Sequence, residues 1–129
     1  MIRTLSTTSA ALLSILLIRI ITALGIYVPQ MQFMYFDRSF HIYHGIILSI
    51  VACLSGRILT RDTRRILLGL GLGLVVDDIA VLSYLWMGYP NDPIAIYWSP
   101  VFILPMLIGL VAIHGGEKKL DCIVQKKRP

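Results

Sequence analysis

Four stretches of the chain are apolar over the length that a bilayer demands. A hydrocarbon core about 30 Å thick needs roughly 20 apolar residues at 1.5 Å rise each. The first stretch runs from Ala10 to Val28 and is interrupted only by Arg19. The second runs from His41 to Leu59, the third from Arg64 to Trp86, and the fourth from Tyr97 to His114. Pro100 stands in the first turn of the fourth stretch, and Pro105 deeper, where its missing hydrogen bond predicts a kink. The pattern predicts an all-α membrane protein, a four-transmembrane-helix bundle. No internal repeat, low-complexity stretch or soluble domain stands out beside it.

Charge orients the bundle. Arg57, Arg61, Arg64 and Arg65 face a single Asp62 between the second and third stretches, and Lys118, Lys119, Lys126, Lys127 and Arg128 follow the fourth. Arg3 precedes the first. The opposite connections hold only Asp37 with Arg38, and Asp92. The bias of Lys and Arg toward cytoplasmic loops then predicts cytoplasmic N- and C-termini, with residues 115–129 a basic cytoplasmic tail. Tyr27, Tyr35, Tyr84, Trp86, Tyr89, Tyr97 and Trp98 gather at the outer boundary as an aromatic belt, independently of the charges. The outer segment Pro29–Phe40, rich in aromatics and methionine, reads as an interfacial loop or short re-entrant piece. A competing reading takes residues 1–25 as a cleaved signal peptide, with a basic start and a small-residue Ala23-Leu24-Gly25. Arg19, between the apolar run and that site, argues against it, and cleavage would leave three spans.

Composition agrees with lipid as the solvent. Apolar residues make up 57% of the 129 residues and charged residues 15%, against roughly 45–50% and about 25% in soluble domains. So short a soluble chain could not bury that excess. The net charge of +5 does not read as a nucleic-acid footprint, because the basic residues sit at segment ends rather than on one face among stacking aromatics. Cys53 and Cys122 form no CxxC pair and no metal-spaced set, and read as a small buried hydrophobe and an inert thiol.

Ionisable groups inside a membrane cost a few kcal/mol each, so each needs a partner or a purpose. Arg19 lies about 14 Å below Val28, and Asp77 and Asp78 about 12–14 Å below Trp86, on helical rise. His41 and His44 open the second stretch one to two turns above that level, three residues apart on one side of a helix. Gly69, Gly73 and Asp77 share a face of the third stretch with Ala80 and Tyr84, a spacing of small residues that permits close helix contact. Asp78 is rotated about 100° away, in line with Gly71 and Leu74. One reading is a structural ion pair of Arg19 with Asp77 or Asp78. The other is a site, in which His41, His44, Asp77 and Asp78 hold a divalent transition metal or relay a proton or ion. His114 beside Gly115 and Gly116 reads as the end of the fourth helix. Gly69, Gly71 and Gly73 lack the following Lys-Ser/Thr of a phosphate loop.

The stretch His41-Ile42-Tyr43-His44-Gly45, followed by Gly69-Leu70-Gly71-Leu72-Gly73-Leu74-Val75-Val76-Asp77-Asp78, resembles a family of small uncharacterised prokaryotic integral membrane proteins. These carry a His-rich, Gly-terminated helix start and a Gly-Leu-Gly-Leu run ending in Asp-Asp or Asp-Glu. Tyr97-Trp98-Ser99 is similar to a stretch before their last span. The resemblance covers about residues 40–100. Where members often show adjacent histidines, this chain has Tyr43-His44. The resemblance implies that the His and Asp positions belong together, and brings no activity.

Three function classes follow. The leading expectation is a non-enzymatic multi-pass protein of the cell membrane that assembles, as a homo-oligomer or as an accessory subunit of a larger complex. The second is an ion, proton or metal-handling protein using His41, His44, Asp77 and Asp78. The third is an intramembrane metal-dependent hydrolase, for which no further acid or base accompanies the set.

Overall fold

The computed structural model of the chain describes residues 5–27, 42–89 and 99–125, with the backbone alone at 25–27 and 123–125. The described residues are all helical outside short connections. They form α1 (Thr7–Tyr27), α2 (Ile42–Leu54), α3 (Arg61–Trp86) and α4 (Pro100–Gln125). Of these, α1, α3 and α4 are long and apolar enough to cross a membrane. At 13 residues, α2 is about 20 Å long, short of that length. The expected segment Pro29–Phe40, His41, and the belt residues Tyr35, Tyr97 and Trp98 lie outside the described residues, as does the side chain of Tyr27.

Hydroxyl side chains start three of the helices. Ser6 Oγ accepts from Ser9 N at 3.1 Å ahead of α1, and Thr60 Oγ1 accepts from Thr63 N at 3.3 Å ahead of α3. Ser99 Oγ accepts from Val101 N at 3.3 Å ahead of α4. Each satisfies an amide that the first helical turn cannot. Pro100 then occupies the first helical position, where a missing N–H costs nothing. The cap at Ser6 places the start of α1 three residues before the expected Ala10. At the other end of α3, Gly88 takes φ 83° and stops the helix.

The expected end of the fourth helix at His114 does not occur. α4 passes through Pro105 and through Gly115-Gly116 and continues to Gln125. Tertiary contacts hold the extension. Arg65 Nε lies 2.9 Å from Asp121 Oδ1, Glu117 Oε2 accepts from Thr8 Oγ1 at 3.3 Å, and Leu120 packs against the buried pair Ala52 and Leu68. Two glycines cost about 1 kcal/mol each in helix propensity, and such contacts override that.

α3 is the central helix, packed on by the other three. Its approach to them is close enough to require glycine. A Cβ at Gly69 would meet Ala10 Cβ at 2.6 Å, and one at Gly73 would strike Ser14 Oγ and the Ala11 carbonyl of α1. A Cβ at Gly71 would meet Gly45 O of α2 at 2.6 Å, and on α4 a Cβ at Gly109 would meet Val76 Cγ1 of α3 at 2.7 Å. Large side chains point the other way. Ile20, Ile47, Leu54, Leu104, Ile108 and Val111 are each more than half exposed, while Thr7, Ser14, Arg64, Asp77 and Asp78 are buried. The described part of the bundle is thus apolar outside, and those charged and hydroxyl side chains are buried among apolar contacts such as Ile15, Ala80 and Phe102.

Candidate functional site

Asp77 and Asp78 are adjacent on α3 and both buried, yet they serve different neighbours. Successive helical residues are rotated by about 100°. Asp77 therefore continues the Gly69–Gly73 face toward α1, and Asp78 continues the Gly71 face toward α2.

On the first face, Asp77 Oδ1 lies 3.9 Å from Arg19 Nε of α1. Arg19 also reaches α4. Its guanidinium carbon stands 4.6 Å from the centre of the Phe102 ring, and Nη2 lies 3.1 Å from Met106 Sδ. The cation thus meets a carboxylate, an aromatic face and a polarisable sulfur, three weak counterparts that together suit a delocalised guanidinium. Phe102 and Met106 belong to the buried cluster of Ile15, Ala80 and Tyr84, so Arg19 bridges α1, α3 and α4 at the edge of a packed core.

On the second face, Asp78 Oδ2 accepts a hydrogen bond from the backbone N–H of Ile42 at the start of α2. Fourteen residues earlier on α3, Arg64 reaches the other end of the same helix. Arg64 Nε donates to Ala52 O at 2.7 Å and Nη2 donates to Cys53 O at 3.0 Å. Arg64 is only 1% exposed, so its charge answers to these carbonyls rather than to solvent. The two side chains are about 21 Å apart along α3, and α2 is about 20 Å long. One helix therefore presents an anion to the N-terminus of its neighbour and a cation to the C-terminus. That is the arrangement the helix dipole favours, and it also satisfies backbone groups a helix leaves open at its ends. Arg64, Gly71 and Asp78 follow a seven-residue spacing, which keeps the clamp and the glycine contact on one face.

Of the four candidate metal ligands, His41 lies outside the described residues and His44 is exposed on α2. Among the described residues, no group of three or more His, Cys, Asp and Glu is placed to hold a metal ion. His114 has an exposed ring, with Nδ1 3.6 Å from Glu117 Oε2 and 3.5 Å from Thr8 Oγ1. Cys53 and Cys122 are free thiols. Of the expected belt residues that are described, Trp86 is 88% exposed, whereas Tyr84 is buried and stacks on Tyr89 at 5.0 Å between ring centres.

Arg64 stands in the sequence among the loop cations that set orientation, yet its seven-residue spacing to Gly71 and Asp78 is a signal that it shares their face. Gly109 is a single glycine without a repeat, and Gly45 stands out only as the end of the His-rich helix start, so the sequence carries no signal of their close helix contacts.

No family model, curated protein or solved structure matches the chain. Residues and geometry alone therefore carry the functional reading.

Proposed function

We infer that the chain is a four-span protein of the cell membrane with both termini cytoplasmic, acting without chemistry of its own as an assembling or accessory membrane subunit. The observation that carries this reading is the use of its buried charges. Asp77 faces Arg19, Asp78 holds the start of α2, and Arg64 holds its end. Each is engaged in joining helices. The apolar exterior, with Ile20, Ile47, Leu104 and Val111 turned outward, supports lipid as its surroundings. The capped ends of α2 support a spanning role for a short helix, since open backbone groups are what hydrocarbon penalises most.

Orientation is tested with native thiols. In Cys53→Ser protein, Cys122 should react with a membrane-impermeant maleimide only from the cytoplasmic side of sealed vesicles. Reaction from outside alone would overturn the topology. Assembly is tested by native mass spectrometry of the untagged chain released from its own membrane in mild detergent. The reading expects a homo-oligomer or a stoichiometric complex. A lone chain carrying near-stoichiometric metal, lost on changing His41 and His44 to Ala, would replace it with the metal-handling reading.

A further inference from the structure

We propose that the cytoplasmic end of the bundle carries a binding surface for anionic phospholipid headgroups, formed by Lys118 and Lys119 on the outward side of α4. This rests on the membrane orientation inferred above. The surface exists because α4 continues as a helix beyond Gly115-Gly116 to Gln125. One side of the extension is committed to the bundle. Ile113 is buried, Glu117 is bound to Thr8, Leu120 packs on the Ala52–Leu68 pair, and Asp121 pairs with Arg65. Both acidic side chains of the extension are therefore turned inward. At about 100° per residue, Lys118, Lys119 and Cys122 fall on the opposite side, and all three are exposed.

The outward face of α4 explains why lipid is the partner. Leu104, Ile108 and Val111 are 61%, 60% and 71% exposed. Gly115 follows with nothing within 4 Å of where a Cβ would stand. Lys118 and Lys119 come next on the same face, about one to two turns further along. An apolar stripe that passes directly into a pair of cations matches a phospholipid lengthwise, acyl chain on Ile108 and Val111, phosphate on the lysines. A soluble acidic partner would match only the lysines. Lysine suits this role as a point charge on a flexible stem that can reach the headgroup layer.

The test uses the full untagged chain in nanodiscs of mixed phosphatidylcholine and phosphatidylglycerol, with retained lipid counted by native mass spectrometry after extraction. Wild type should retain phosphatidylglycerol in preference to phosphatidylcholine. Lys118→Gln/Lys119→Gln should lower that retention by about fivefold for each charge removed, at unchanged melting temperature. Changing Lys126, Lys127 and Arg128 to Gln should leave most of it. Equal retention in wild type and the Lys118/Lys119 variant would overturn the proposal, as would complete loss in the tail variant. Failure of the membrane reading is distinguishable, because the chain would then leave the membrane pellet in carbonate wash. An embedded chain with no preference for phosphatidylglycerol would overturn the lipid surface alone.

Discussion

The contacts of α3 with α1 and with α2 use the same parts in different ways. Each begins at glycine, Gly69 and Gly73 toward α1 and Gly71 toward α2, and each ends at an aspartate. Toward α1 the aspartate meets a side chain, Arg19. α2 carries no Asp, Glu, Lys or Arg, and there the aspartate meets the backbone itself, with Arg64 matching it at the far end. Against α3, a helix of 21 residues is held by one ion pair and packing. A helix of 13 is fixed at both termini. Two neighbouring carboxylates thus have separate tasks, assigned by the rotation between them.

The comparison breaks most strongly at Arg64. Arg64→Leu removes two charge-assisted hydrogen bonds and leaves the Ala52 and Cys53 carbonyls open, so unfolding in detergent should fall by about 4 kcal/mol. Arg19→Leu leaves Asp77 without its facing cation and should cost about 3 kcal/mol in the same measurement. An unchanged stability would remove the ion pair from the account. Gly71→Ala should cost about 2 kcal/mol by forcing α2 away from α3. Its damage should appear at α2 in cysteine cross-linking, while Gly73→Ala separates α1 instead. Gly115→Ala, where a Cβ meets nothing, should instead stabilise α4 by about 0.5–1 kcal/mol in thermal melts. The smallest effect belongs to His44→Ala, expected within about 0.5 kcal/mol of wild type because the residue is exposed.

The two α3 faces were legible in the sequence, because small residues and aspartates on an apolar helix repeat at helical spacing. So were the long apolar helices, whose signal is length and hydropathy. The two ends of α2 were not legible. Their partners are backbone groups on another helix, and a backbone group carries no residue-type signal. Arg64 was hidden for a second reason, since its neighbours Arg61 and Arg65 made it look like one more loop cation. The continuation of α4 was hidden because Gly115-Gly116 is a local stop signal, overridden by Arg65–Asp121 and Leu120 at a distance in the chain. The separate tasks of Asp77 and Asp78 arise only in the fold, since one lies beside a cation and the other beside an amide that only the packing brings near.

The most direct test of those separate tasks is amide hydrogen exchange of the whole chain in nanodiscs, comparing Asp77→Ala with Asp78→Ala. Loss of Asp78 should speed exchange in the first turn of α2, at Ile42–Ile46, and leave α1 protected. Loss of Asp77 should do the reverse, with faster exchange in α1 around Arg19. Identical exchange maps for the two variants, or an α2 start indifferent to Asp78, would contradict the account.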